Sequence, residues 1–228
     1  SDASDLAFEH SLEEALTTHS LQVHYQPKID LFSRQARDFE ALIRWQHPKY
    51  GMVAPDQFLP IVERIGRFEE LTKFVLHNAL RHRNEWPVDG ARVAINIPAS
   101  MVHERALFDM VQSAINIWGT PPAMLTLEIT EGAIIKDHIA SQHHLAKLKS
   151  MGIRISIDDF GTGYSSLAYF KKLPASELKI DKSFVANLCN DVDDRHLVQL
   201  IIDLAHHFGL KVVAEGVETQ DTIKTLTQ

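Results

Sequence analysis

The chain has 228 residues, a formal net charge of −7 and a single cysteine, Cys189. This length suffices to bury a sizeable core, and we expect one domain over residues 1–228. The acidic balance without a basic block argues against binding of a nucleic-acid polymer through its phosphates. A lone cysteine excludes an internal disulfide, so nothing in the sequence indicates an oxidising compartment.

From composition we expect neither a membrane span nor a signal peptide within these residues. No stretch approaches the roughly 20 apolar residues that cross a bilayer, and the start, SDASDLAFEH, lacks the basic and apolar regions of a signal peptide. We therefore expect a soluble, cytoplasmic domain that makes no membrane contact itself. A membrane anchor elsewhere in a longer parent protein stays compatible with this expectation.

The first elements are predicted to be a helix and two paired strands. Apolar spacing predicts a helix within residues 1–20, and LQVHYQ (21–26) and FEALIRW (39–45) are typical of strands. The connection between these strands is shorter than the dozen residues that a parallel crossover needs. We therefore predict that they pair antiparallel.

From Pro55 onwards, helices and strands alternate, which is typical of a parallel sheet with helical crossovers. Helices are predicted over 55–66, 68–86 and 219–228, and further strands over 91–97, 124–130, 153–158, 176–181 and 211–215. This pattern predicts an α/β fold, a barrel over residues 21–228. Seven strands are countable where a closed (β/α)8 barrel needs eight, so either another segment of the chain closes the barrel or the eighth strand follows Gln228.

Polar side chains recur at the carboxyl ends of these strands, which surround one mouth in a barrel of this type. They are Glu40, Asn96, Glu128, Asp158, Asp159, Lys179 and Glu215. Converging carboxylates resist joint ionisation unless cations lie among them, and Mg²⁺ and Mn²⁺ favour oxygen ligands. The pattern predicts a two-metal site suited to displacement at phosphorus, with Asp158 as a candidate bridge.

Other interpretations of these residues stay open. A single acid after a strand is more often a helix cap or a solvated loop residue. Lys179 is also compatible with a surface lysine, or with a Schiff-base lysine in an aldolase-like barrel. The string GTGYSS completes no phosphate-binding fingerprint, and the paired histidines at 143–144 and 206–207 do not share a helix face.

Five strings together carry a resemblance to a known family. FEALIRW, LEITE, IDDFGTGYSSL, LKIDKSF and VVAEGVET occur in this order between about Leu21 and Thr219. In this combination they resemble the EAL domain, the bacterial phosphodiesterase of cyclic di-GMP. The resemblance implies a modified TIM barrel whose first strand runs antiparallel to the second. It also implies hydrolysis of cyclic di-GMP to linear pGpG with two Mg²⁺ or Mn²⁺ ions.

The resemblance also implies roles for individual residues. The metal ligands would be Glu40, Asn96, Glu128, Asp158, Asp159 and Glu215, with Glu40 counted among the catalytic residues as well. Lys179 is similar to the family's lysine that contacts the attacking water. Glu218 resembles an acid that holds metal-bound water. Glu131 resembles the acid that anchors the loop DDFGTG.

For the substrate, Gln26, Leu42, Arg44 and Pro55 match family positions that line the nucleotide site, although packing alone also accounts for Leu42 and Pro55. A homodimer, formed by helices near the DDFGTG loop, is a further expectation from the resemblance. Asp38 departs from the family's usual glycine at this position. The alternative function is a cyclic di-GMP receptor without catalysis.

Overall fold

The computed structural model describes residues 2–18, 20–136, 138–161 and 174–227. Its strands are β1 (Leu21–Ile29), β2 (Ala36–His47), β3 (Gly51–Val53), β4 (Arg92–Asn96), β5 (Leu125–Thr130), β6 (Arg154–Phe160), β7 (Glu177–Ile180) and β8 (Lys211–Ala214). Its α-helices are α1 (Asp2–Thr17), α2 (Pro55–Arg64), α3 (Phe68–Glu85), α4 (Arg105–Trp118), α5 (Glu131–Lys136), α6 (His138–Ser150), α7 (Lys182–Ala186), α8 (Val192–His207) and α9 (Gln220–Leu226). Short 3₁₀ helices cover Ala99–Met101 and Pro122–Met124. Within the part of the chain thus described, no helix is both long and apolar enough to cross a membrane.

The strands form one mixed sheet in the order β1-β2-β4-β5-β6-β7-β8, with β3 paired to β2 off this path. β1 pairs antiparallel with β2, and every pair from β2–β4 to β7–β8 is parallel. The predicted antiparallel start and parallel continuation are therefore confirmed. The short strand β3 was not predicted, because three residues are too few to show a period.

The sheet curls strongly, as a single contact demonstrates. Lys28 on β1 reaches Glu177 on β7, with 2.9 Å between Nζ and Oε1. These strands are five steps apart in the sheet, which would separate them by about 24 Å if the sheet were flat. The curl confirms the α/β, modified TIM-barrel fold. Among the described strands, β1 and β8 end the path without pairing to each other. This path contains seven strands, because β3 lies off it. A further barrel strand after Gln228 stays a prediction.

The two faces of the sheet differ sharply in polarity. The outward face is apolar and packs against the helices, with Ile95, Leu127, Ile155 and Leu178 all fully buried in one continuous core. The inward face is polar and includes Asn96, Glu128 and Ser156, which lie opposite one another along the register of β4, β5 and β6. Because side chains alternate along a strand, each strand sends its apolar residues to the helices and its polar residues inward. The interior of this barrel is therefore a polar chamber.

A second, smaller core lies around the start of the barrel. Trp45, Phe58 and Leu12 are fully buried in it, and the ring of Phe8 meets that of Trp45 edge-on at 4.8 Å. It joins α1 to β2 and α2. The predicted N-terminal helix is thus packed against the barrel.

Candidate active site

Lys179 lies at the centre of the carboxylate cluster. Its side chain is 1% exposed, and its Nζ lies 3.3 Å from Glu40 Oε2, 2.8 Å from Glu128 Oε2, 3.1 Å from Asp158 Oδ2 and 2.7 Å from Glu215 Oε1. These acids come from β2, β5, β6 and the end of β8. The predicted convergence of strand-end residues is therefore present in the structure, with the lysine facing inward.

Asn96 joins the cluster through Glu40. Its side-chain amide donates to Glu40 Oε1 at 2.9 Å, so Glu40 is held between this amide and the Lys179 ammonium. Glu40 is also placed by the sheet, because β2 is paired on both sides, with β1 and with β4. A carboxylate on a central strand with two side-chain partners has few alternative positions.

The adjacent acids Asp158 and Asp159 sit at an irregularity in β6. The register with β7 shifts between Ile157 and Phe160, and Asp159 adopts a left-handed conformation with φ of +55°. Such bulges reorient side chains at barrel rims, and aspartate tolerates this region better than most residues. Carboxylate oxygens of Asp158, Asp159 and Glu215 consequently lie within 4.8 Å of one another. The bulge therefore brings both neighbouring acids to one side of the chain, which regular alternation would prevent.

Glu131 supports the segment that follows these acids. It is 2% exposed at the start of α5, and its Oε2 accepts from the backbone N–H of Gly161 at 3.2 Å. The rest of GTGYSS, residues 162–166, lies outside the described residues, so the geometry bears on its first glycine alone.

The substrate-binding candidates lie beside the cluster on β1 and β2. Gln26 is exposed and lies directly opposite Glu40 in the antiparallel register, and Leu42 and Arg44 follow Glu40 on the same face. Arg44 is half-buried and donates to the carbonyl oxygen of Ile43 at 2.8 Å. Pro55 starts α2, just after β3. Gln26, Leu42 and Arg44 therefore form a rim that continues from the cluster.

Glu218 is not brought into the cluster. It is exposed in the turn before α9, and among the described contacts none joins it to the acids around Lys179. Its predicted role in holding metal-bound water stays a prediction.

Lys28 is an interior residue that lies beyond the predicted end of the first strand. Its Nζ donates to Glu128 Oε1 at 2.7 Å and to Glu177 Oε1 at 2.9 Å. The strand predicted over 21–26 continues to Ile29 in the structure, and alternation from Gln26 would have placed Lys28 on the inward face. The signal was present but lay beyond the assigned end of the strand.

Burial and mutual repulsion raise the pKa of several acids here. Burial, reinforced by Glu128, raises the pKa of Glu40, and burial together with Asp158 raises the pKa of Asp159. Burial also raises the pKa of Glu215. For Glu128 burial acts in the same direction, but the ammonium groups of Lys179 and Lys28 outweigh it and hold the pKa below its usual value. Negative charge is therefore crowded at this site.

The donor set suits hard divalent cations. It consists of carboxylate oxygens from several strands and one amide oxygen, which are the ligands that Mg²⁺ and Mn²⁺ prefer. Asp158, Asp159 and Glu215 already bring their oxygens close enough to share an ion. The residues present therefore fit such ions.

Comparison with known proteins places the chain among signalling proteins. The sequence model of the EAL domain family matches residues 9–228. MucR of Pseudomonas aeruginosa, a bifunctional diguanylate cyclase/cyclic di-GMP phosphodiesterase, is 43% identical over 223 residues, which cover 96% of this chain and 32% of MucR. The cyclic di-GMP phosphodiesterase NbdA of the same organism is 38% identical over 227 residues, covering 98% of this chain and 29% of NbdA. The chain therefore spans about a third of the length of these relatives.

A solved structure agrees with the sequence matches. The PaMucR phosphodiesterase, solved as a c-di-GMP complex, superposes with a TM-score of 0.92 at 42% identity, covering 96% of this chain and 90% of that one. The barrel described above, including its antiparallel β1–β2 pair, thus has the same fold as the PaMucR phosphodiesterase.

Proposed function

Because this chain belongs to the EAL domain family, we propose that it hydrolyses one phosphodiester bond of cyclic di-GMP to give linear pGpG in bacterial second-messenger signalling. The observation that carries the proposal is the single cluster in which Lys179 contacts four acids from four strands. A protein that only binds the dinucleotide has no need to hold four carboxylates around one buried lysine. The similarity to cyclic di-GMP phosphodiesterases supports the choice of substrate.

The proposed cofactors are two Mg²⁺ or Mn²⁺ ions. Their ligands would be the polar residues already described, namely Glu40, Asn96, Glu128, Asp158, Asp159 and Glu215. When bound, such ions supply activation of water and neutralisation of phosphate charge. The hydrogen bond from Asn96 and the bulge at Asp159 would hold these side chains in place before any ion arrives.

Lys179 is proposed to act as a cation that orients the attacking water. Burial acts to lower its pKa, but Glu128, Glu40 and Asp158 outweigh burial and raise the pKa well above its usual value. A Schiff-base lysine needs a neutral amine, so this environment counts against the aldolase-like interpretation. The Lys179 ammonium would orient the attacking water by hydrogen bonding. Because the amine is already protonated, it would not take the proton from that water.

The remaining side chains would bind the substrate and shape the site. Arg44 would meet a phosphate through charge-assisted hydrogen bonds, beside Gln26 and Leu42 on the same rim. Pro55 would complete the nucleotide pocket from the start of α2. Glu131, through the N–H of Gly161, would fix the segment that leaves Asp159.

The test is a product assay. The purified protein is incubated with cyclic di-GMP and Mg²⁺ or Mn²⁺, and pGpG is measured by chromatography. We expect product with either ion and none with EDTA. We expect Glu40→Ala to abolish turnover, because it removes a candidate ligand that also contacts Lys179 and Asn96. The matched control is Glu85→Ala, a glutamate on α3 whose side chain is 63% exposed.

Binding without product would contradict the proposal and favour the receptor function. A second result against it would be equal turnover by the Glu40→Ala and Glu85→Ala variants. Isothermal titration with cyclic di-GMP in Ca²⁺ measures binding separately from chemistry.

We also propose that the domain is cytoplasmic.

We further propose that the domain forms a homodimer through a helix near the segment after Asp159. On α8, Leu200 is 64% exposed, and its neighbour Ile201 packs close to Gly161, with Cδ1 3.5 Å from the position of an added Cβ. An apolar side chain exposed beside the site supports a second copy at this face. We expect analytical ultracentrifugation at assay concentrations to show a dimer, which Leu200→Glu would dissociate. A monomer at all concentrations would refute it.

A further inference from the structure

Lys28 reaches the candidate metal ligands from the opposite side to the mouth. β1 runs antiparallel to β2, so residues late in β1 lie beside residues early in β2, and Lys28 is opposite Asp38. The parallel strands begin at that end of the barrel. The Lys28 side chain is 13% exposed and extends from there into the polar chamber towards Glu128.

Lys28 and Lys179 each contact a different oxygen of the Glu128 carboxylate. Lys28 Nζ lies 2.7 Å from Glu128 Oε1, and Lys179 Nζ lies 2.8 Å from Oε2. The Glu128 side chain is fully buried, and these two ammonium groups are its ion-pair partners among the described contacts. Each oxygen is therefore assigned to a different lysine, which fixes how the carboxylate is rotated.

The Lys28 ammonium is itself held by Glu177 on β7. Glu177 Oε1 accepts from Lys28 at 2.9 Å and from Ser156 Oγ at 2.9 Å, and Arg154 Nη2 lies 3.8 Å from Glu177 Oε2. Glu177 and Ser156 lie opposite each other in the register of β7 and β6. Lys28 thus bridges a sheet-anchored acid to Glu128, and it does not point to the mouth.

We infer that Lys28 is a positioning residue, which holds Glu128 Oε1 and thereby fixes Oε2, the oxygen beside Lys179, on the side of the cluster where a divalent cation would bind. The inference rests on the proposed function, since it concerns the same site. An ordinary structural ion pair would serve Lys28 and Glu177 alone, whereas the contact to Glu128 connects this pair to a candidate ligand. Partners that orient metal ligands typically change metal affinity or activity by about 10- to 100-fold when removed.

Positioning and plain electrostatics predict opposite results when the charge is removed. Deleting a cation near crowded carboxylates makes the site more negative, which by itself strengthens cation binding. Loss of positioning lets the Glu128 carboxylate rotate, which weakens binding. The sign of the change in metal affinity therefore distinguishes the two roles.

The experiment measures the Mn²⁺ dissociation constant by electron paramagnetic resonance of free Mn²⁺, together with kcat and KM for cyclic di-GMP. The variants are Lys28→Met, Glu177→Gln and the double variant. We expect Lys28→Met to bind Mn²⁺ about 10- to 100-fold more weakly. We expect kcat to fall with KM little changed, because Lys28 does not face the rim of Arg44.

Glu177→Gln is the matched control. The glutamine keeps an acceptor oxygen for Lys28 and Ser156, so Mn²⁺ affinity should stay within about twofold even where the melting temperature falls. The double variant removes the buried Glu177 charge, which Lys28→Met leaves with only the longer contact to Arg154 as an ion pair. It should therefore recover stability without recovering Mn²⁺ affinity.

Three results would overturn the inference. The first is unchanged or tighter Mn²⁺ binding by Lys28→Met, and the second is full recovery of affinity in the double variant. The third is failure of both Lys28 variants to fold, which would make the residue structural. Mn²⁺ binding is measured without turnover, so absence of hydrolysis in the unsubstituted protein would refute the proposed function while the affinities still test Lys28.

Discussion

Lys179 occupies the position where charges from four strands meet. Its Nζ lies between 2.7 and 3.3 Å from four carboxylate oxygens. No other cation among the described ion pairs contacts as many acids. An ammonium at this point offsets the repulsion that would otherwise protonate Glu40 or Glu215. The residue therefore contributes both to the stability of the barrel and to the proposed chemistry.

Replacement of Lys179 by methionine should separate these contributions. We expect hydrolysis to fall by at least about 10²-fold, as when one preorganised electrostatic group is lost. Without divalent ions, the free energy of unfolding should fall by about 3 kcal/mol, because the acids lose a buried partner. Saturating Mg²⁺ should restore part of it. Urea denaturation with and without Mg²⁺ measures this.

The control for that change is Lys224→Met, since the Lys224 side chain is 71% exposed and pairs with Asp221 on the surface. It should alter neither quantity by a measurable amount. Wild-type turnover in Lys179→Met would contradict the role given to Lys179.

Residue chemistry explains one departure from the family that the sequence left unexplained. The resemblance implied a glycine at Asp38, and the structure pairs this aspartate with Arg92 through two hydrogen bonds of 2.5 and 2.6 Å. Burial acts to raise the pKa of Asp38, but Arg92 outweighs it and lowers the pKa. The partner lies 54 residues away, so no local pattern could have revealed it.

At the scale of elements, the turn after β8 places Glu215 in the cluster. Gly216 follows with φ of +67°, and a Cβ added there would lie 2.8 Å from Lys182 Cβ on α7. Only glycine allows both this backbone conformation and this close approach without strain. The turn therefore couples the position of Glu215 to that of α7.

Gly216→Ala should disturb this coupling, and Gly209→Ala is its matched control. Gly209 has φ of +71° but nothing within 4 Å of an added Cβ, so its substitution costs only backbone strain, about 1 kcal/mol. Gly216→Ala should cost about 1–3 kcal/mol more, because it also overpacks the contact with α7. It should lower kcat as well. Thermal unfolding and turnover measure both, and equal behaviour of the two variants would refute the coupling.

All strands but β3 could be predicted from the sequence, because alternation or an apolar run marks even the four-residue strands β7 and β8. The helices between β4 and β8 were expected only from the alternating pattern, without bounds. The reversed β1 followed from a connection too short for a crossover. The bulge at Asp158 and Asp159 could not be predicted, since it depends on the register between β6 and β7. The inward position of Lys28 was lost with the last three residues of β1.

At the scale of the whole molecule, we expect the polar chamber to make stability depend on divalent cations. A ligand that binds only the folded state at 100 times its dissociation constant contributes about 2.7 kcal/mol. Saturating Mg²⁺ or Mn²⁺ should therefore raise the melting temperature by about 5–10 °C. EDTA should reverse the shift. Calorimetry of one sample before and after chelation measures it.

Asp158→Asn should remove most of that increase, because it replaces a carboxylate of the closest acidic group. Asp221→Asn should keep it, as Asp221 is 80% exposed on α9. A shift of equal size in both variants would mean that the ions bind elsewhere.

The reversal of β1 also decides where the chain enters the barrel. A strand parallel to its neighbours would be entered from the floor, but Leu21 lies opposite Trp45, one residue past Arg44 on β2. α1 therefore leads into the sheet at the end where the proposed site lies, and its Phe8 touches Trp45 directly. A displacement of α1 would reach β2 through these two rings, one residue from Arg44, the proposed phosphate contact. The helix that enters the barrel is thus placed to alter the proposed site.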